Sequence, residues 1–203
     1  MRPSIADVLR DAGATAVSRA LEPAACARLI GEMRRMPAAD TRPISPETMR
    51  REPDPEFVRS QTLAPSPSAH ALVTRAIADR LPALAGFFGR ALELNPELHF
   101  LIYRQGGFIR PHCDVLEGEH VLEKIRERVV VFTLFLNGAD GPGTDTFEGG
   151  DFVLHPSAAW RLAIPCVPGM LVAFRAEVVH SVREVRAGSR YAVTGWLRAA
   201  AGA

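Results

Sequence analysis

Tyr103-Arg-Gln-Gly-Gly-Phe-Ile-Arg-Pro-His-Cys-Asp114 is the stretch on which the reading of this chain turns. Upstream of it lie helix-like periodicities and a proline-rich segment; downstream come short β-rich runs separated by Gly, Pro, Asn and Asp. An extended backbone sends residues i and i+2 to one face. His112 and Asp114 therefore point together, and Cys113 points away. Pro111, immediately before them, restricts the local backbone and lacks an amide donor.

Outward along the chain, β-rich runs cover residues 99–103, 129–136, 150–154, 160–164, 170–174, 178–182 and 191–197. Short strands at this spacing predict a sandwich or barrel. Helices first and strands afterwards make the fold class α+β rather than alternating βαβ. His180 directly follows Val178-Val179, inside one of these runs. Ten residues later Arg190 opens Arg-Tyr-Ala-Val-Thr-Gly-Trp196, which reads as a strand.

A histidine and a carboxylate two residues apart, joined by a distant second histidine, can hold one face of an iron(II) ion and leave the other open. The planar fork of Arg190 suits the far carboxylate of a co-substrate. A lone His-x-Asp is a weak signal; the second histidine in a β-run and the arginine after it give it weight. Zinc with Cys113 as a ligand is the competing reading. Alternation argues against it, as does the lack of the second cysteine common in structural zinc sites. His70, His99, His120 and His155 read as surface or satisfied core residues.

Residues 1–36 read as mostly helical, with Pro23 at a helix start and Cys26, Leu29, Ile30 and Met33 on one apolar face. Residues 37–67 hold seven prolines and break every periodicity. That segment is either a surface wrap or a substrate lid. A second helix is expected over 68–94, with Leu72, Ile77, Leu81, Leu84 and Phe88 facing the core and Pro82 kinking or dividing it. The charged insert 115–128 is a candidate substrate contact and fits an exposed lid or a solvated helix. Arg42, Arg50, Arg51, Arg59, Arg104 and Arg110 are candidate substrate contacts.

A net charge of +1 without a basic run excludes nucleic acid as an expected partner. The three cysteines show no CxxC pairing and fit a reducing compartment. The N-terminus lacks an apolar signal core, and the longest apolar run, 129–136, is too short to span a bilayer. A cytoplasmic protein with no membrane partner is expected. Nothing in the sequence specifies the oligomeric state.

The 103–114 stretch resembles the first metal motif of the iron(II)/2-oxoglutarate-dependent dioxygenases of the prolyl 4-hydroxylase-like group. Phe132-Thr-Leu-Phe-Leu-Asn137, Glu148-Gly-Gly-Asp-Phe-Val-Leu154, Pro168-Gly-Met-Leu-Val-Ala-Phe174, His180 and Arg190–Trp196 are similar to the family's later segments, in the same order. The resemblance implies a double-stranded β-helix, a jelly-roll barrel, in residues 98–198 of a single domain over 1–203. The first 97 residues would form helical support and the proline-rich loop. It also implies iron(II), 2-oxoglutarate and dioxygen as cofactors, with ascorbate a candidate reductant. His112, Asp114 and His180 would be iron ligands and Arg190 the partner of the distal 2-oxoglutarate carboxylate. Thr194, on the strand face of Arg190, would add a hydrogen bond near it. Tyr103 matches a tyrosine that contacts co-substrate or substrate; a core packing role is its other reading. Phe135 and Leu134 stand where some relatives place a further tyrosine, which leaves the second anchor of that carboxylate open.

The implied activity is hydroxylation of an unactivated C–H bond with release of succinate and carbon dioxide. Halogenating relatives lack the carboxylate that Asp114 provides. The expected substrate is a small molecule, an amino acid or natural-product intermediate. The alternatives are a prolyl or other residue within a polypeptide, and a non-catalytic metal-binding β-barrel.

Overall fold

Capping chemistry and proline placement set the helix boundaries. The structure is a computed structural model that describes residues 4–116, 121–139 and 145–200. At the start of α1 (Ile5–Asp11), Ser4 accepts the Asp7 amide while the Asp7 carboxylate accepts the Ser4 amide. The chain then forms β1 (Ala14–Val17), which interrupts the expected N-terminal helical region. Proline occupies the first turn of α2 (Pro23–Met33), where a missing amide costs no hydrogen bond, and Cys26, Leu29, Ile30 and Met33 are buried as expected.

Three short strands, β2 (Ala38–Asp40), β3 (Val58–Arg59) and β4 (Gln61–Leu63), punctuate the proline-rich segment. The helix expected over 68–94, kinked or divided at Pro82, is divided into α3 (Pro67–Ala78) and α4 (Leu81–Phe88). Pro82 divides them from within the first turn of α4. Gly89, at φ +68°, ends α4 in the left-handed conformation that favours glycine. Leu72 lies outside the buried stripe and is exposed. The chain is already extended by Leu92, in β5 (Leu92–Arg104), so the helix does not reach residue 94.

Then follow β6 (Phe108–His112), α5 (Glu123–Arg126), β7 (Val130–Phe135), β8 (Phe147–Gly149), β9 (Phe152–Ser157), β10 (Trp160–Ile164), β11 (Leu171–Arg175), β12 (Val179–Val182) and β13 (Val185–Ala199). Every expected β-run falls on one of these strands. They form two antiparallel sheets, the larger in the order β1-β11-β7-β13-β5-β4-β2 with β8 beside β13, the smaller β10-β9-β12-β6-β3. This is the expected double-stranded β-helix.

Alternation along β13 assigns its two faces. Tyr191, Val193 and Leu197 pack with the α2, α3 and α4 residues, and Trp196 packs with Phe135, Phe152 and Phe174 of the other core cluster. Burying each of those phenylalanines stabilises the fold by about 1.5–3 kcal/mol. One turn fastens the helical layer to the larger sheet. Gly169, at φ +79°, accepts the Leu21 amide at 3.2 Å, and a Cβ there would lie 1.9 Å from the Leu21 carbonyl oxygen. No described helix is long and apolar enough to cross a membrane.

Candidate metal centre and cofactor pocket

The smaller sheet brings the two distant histidines together. His180 on β12 and His112 at the end of β6 are directly paired in register. Just beyond β6, the Asp114 amide donates to the Ala176 carbonyl at 3.0 Å, which turns its carboxylate back toward the pair. The ligand atoms of His112, Asp114 and His180 lie within 4.8 Å of one another. His112 Nε2 is 3.8 Å from Asp114 Oδ1, and His180 Nε2 is 3.9 Å from Asp114 Oδ2.

The neighbours of these side chains leave the right atoms free. His112 Nδ1 is 2.8 Å from the Arg110 carbonyl and His180 Nδ1 is 3.1 Å from the Val178 carbonyl. A carbonyl only accepts, so each Nδ1 carries the proton and each Nε2 keeps its lone pair. Trp196 Nε1 donates to Asp114 Oδ2 at 2.9 Å and fixes the carboxylate plane. Burial, with the field of His112, pushes His180 down to about 4 against the pull of Asp114 and the Val178 carbonyl. The ring is neutral at pH 7. Burial raises Asp114, but His180, His112, the Trp196 hydrogen bond and Arg128 outweigh it and hold the carboxyl below its ordinary range. Two imidazoles with their Nε2 atoms free and one carboxylate are a donor set for iron(II).

These residues line a cavity of about 720 Å³, as do Tyr103, Thr194 and Arg190. Arg190 is 1% exposed, and its Nε and Nη2 are buried without an acceptor. Its guanidinium lies 5.2 Å from the Tyr103 ring and 5.4 Å from the Phe135 ring. A buried cation with unmet donors is costly unless an anion joins it. Asn137 sets the strand around it: its side chain donates to the Ser189 carbonyl at 2.7 Å and accepts the Tyr191 amide at 2.8 Å. The Thr133 and Thr194 hydroxyls are 3.3 Å apart. Burial raises the Tyr103 phenol, against Arg190 and a Ser60 hydrogen bond, so it stays protonated.

The profile of the 2OG-Fe(II) oxygenase superfamily matches residues 98–198. The chain belongs to this superfamily. It is an enzyme, a dioxygenase that uses iron(II), 2-oxoglutarate and dioxygen, which sets aside the non-catalytic barrel. No curated protein is a significant sequence match. Among solved structures, a prolyl-4-hydroxylase from Pseudomonas putida is 23% identical, covers 97% of each chain and has a TM-score of 0.67. A Trichoplax adhaerens prolyl hydroxylase in complex with a hypoxia inducible factor oxygen degradation domain peptide fragment is 15% identical, with a TM-score of 0.74 over 96% of this chain and 87% of that one. HygX from Streptomyces hygroscopicus, with nickel and 2-oxoglutarate bound, is 13% identical, with a TM-score of 0.66 over 96% of this chain and 86% of that one. At these identities the likeness establishes the fold.

For a 2OG-Fe(II) oxygenase, the cavity fits its cofactors in two ways: a converging His-Asp-His set, and an unpaired buried arginine suited to a dicarboxylate. Of the six candidate substrate arginines, only Arg42 and Arg51 line it. Arg110 donates to the Glu56 carbonyl, Arg59 packs over Phe108, and Arg104 donates to Gln61. Within the insert, α5 is one short helix with Ile125 buried against the cavity; residues 117–120, including His120, lie outside the described residues. One site residue escaped the sequence reading. Trp196 sits at even spacing from Arg190 and Thr194, a signal that would have placed it on their face. Arg128, the last residue of the insert expected to contact substrate, is buried beside Trp196.

Proposed function

We propose that this oxygenase hydroxylates an unactivated C–H bond of a small molecule, an amino acid or a natural-product intermediate. In this reading the whole chain acts as one domain with residues 98–198 as its metal-binding core. His112, Asp114 and His180 hold the iron, and Arg190 takes the distal carboxylate of 2-oxoglutarate, with Thr194 and Tyr103 beside it. The observation that carries the reading is one cavity with the His-Asp-His set on its wall, the unpaired Arg190 in its depth and the proline-rich residues 41–54 along its other side. A cavity of about 720 Å³ enclosed this way suits a small substrate beside 2-oxoglutarate.

Bound iron(II) with 2-oxoglutarate and dioxygen supplies oxidative decarboxylation to succinate and carbon dioxide, coupled to insertion of one oxygen atom into a C–H bond. The chain's own residues bind, orient and exclude water. The Arg110 and Val178 carbonyls hold the imidazoles in the metal-binding tautomer, and the Trp196 indole holds the carboxylate. Phe152 and Phe174, packed around His180, keep water from the buried side of the site. Asp114 contributes the carboxylate whose absence accompanies halogenation, which supports hydroxylation.

The test is a panel of amino acids and related metabolites, read by succinate release and product mass. Succinate formed with a free small molecule that gains one oxygen supports the reading. The second reading, hydroxylation of a residue in a polypeptide, is favoured by the fold likeness to two prolyl hydroxylases, one bound to a peptide. Mass gain on a peptide but not on its free amino acid would establish that reading instead.

A further inference from the structure

Arg190 has a buried counterpart in the same cavity. Arg128, two residues before β7, is 9% exposed, and its guanidinium carbon lies 3.8 Å from the Trp196 ring centroid. Its Nη1 donates to the Asp114 carbonyl at 3.5 Å, and its Nε is buried without an acceptor. Burial holds Arg128 below the ordinary guanidinium value against the pull of Asp114 and Glu97, and the nearby Arg51 charge adds to the strain on it. Arg51 comes from the proline-rich segment and pairs with Glu97 at 2.7 Å; His99 Nε2 contacts the same Glu97 oxygen at 3.1 Å.

The charges along this wall do not balance. Asp114 turns its carboxylate to the two histidines and Trp196, so its charge faces the metal position. Glu97 then stands against two guanidiniums among the described residues. The acidic groups of the segment above, Glu47, Glu52 and Asp54, are exposed and bonded within their own segment to Ser45, Thr48 and the 56–57 amides. A cation nine-tenths buried with an unmet donor calls for an anion, and the described residues do not supply one.

We infer that Arg128, backed by Arg51, forms a second anion subsite that takes a carboxylate of the substrate. Trp196 links this subsite to the metal position, since one face of its indole supports the guanidinium while its N–H holds Asp114. An anionic group seated on Arg128 therefore fixes the remainder of a small molecule above the His-Asp-His set. The inference rests on the small-molecule reading.

The test compares free amino acids with their carboxamides on the wild-type enzyme and on Arg128→Met and Arg51→Met, by KM from succinate release. The wild type is expected to prefer the free acid by roughly 30-fold or more, as loss of a buried charge contact implies. In Arg128→Met the ratio of the two KM values is expected to fall to near one, and in Arg51→Met to shrink partway. A merely structural role for Arg128 would move both KM values together and preserve their ratio, which overturns the subsite. Equal use of acid and amide by the wild type also overturns it and leaves the small-molecule reading standing. Turnover of peptides alone removes both.

Discussion

At the scale of single residues, the site depends on which atom of each side chain is already engaged. The Nδ1 atoms of His112 and His180 are committed to backbone carbonyls, and Asp114 Oδ2 to the Trp196 indole. Trp196→Phe keeps a ring under Arg128 but removes the N–H. Iron(II) affinity is expected to fall about 10–100-fold, measured by metal titration under anaerobic conditions. Arg190→Met removes the buried fork and should raise the KM for 2-oxoglutarate by roughly 30-fold or more; an unchanged KM would refute the role of Arg190. His180 sets a pH dependence. Its folded value of about 4 lies below the unfolded value of about 6.5, so the unfolded chain binds the proton first as pH falls. This contribution is fully present above about pH 6.5 and declines toward pH 4, by about 3 kcal/mol in all. Urea unfolding of the iron-free protein at about pH 7 and about pH 5 should show the decline, and His180→Gln should flatten it.

At the scale of elements, the proposed metal position is made by strand register and by the chain's turn after β6. The pairing of His112 with His180 needs β6 and β12 side by side. The turn at Gly169 matters in the same way for the larger sheet. Gly169→Ala would place a Cβ against the Leu21 carbonyl at a positive φ, and is expected to lower stability by about 2–4 kcal/mol in thermal or urea unfolding. Sequence reading located the strands well, because alternating apolar runs bounded by Gly and Pro carry a period that few other structures share. It missed β1, β2, β3, β4, β6 and β8, strands of two to five residues that are too short to show a period and form by pairing with longer neighbours or with one another. At Pro82, where the sequence offered a kink or a division, the chain divides into α3 and α4, since the proline sits in a first turn. The His-Asp-His set and Arg190 were legible from spacing. Arg128 was legible only as the end of a charged insert, because burial of an arginine depends on which aromatic ring the fold places beneath it.

At the scale of the whole molecule, the two sheets, the helical layer and the proline-rich segment divide the work. The helices brace the larger sheet, the smaller sheet presents the histidines, and residues 41–54 complete the cavity. The proline-rich segment thereby lines the cavity, tied to the barrel by Arg51–Glu97. The central claim is that His112, Asp114 and His180 form the iron site that binds 2-oxoglutarate with Arg190. It is tested most directly by anaerobic visible absorption on adding iron(II) and 2-oxoglutarate together. A band that needs both components, is lost in Asp114→Ala and His180→Ala, and requires more 2-oxoglutarate in Arg190→Met is the expected result. A band that persists unchanged in those variants would contradict the account.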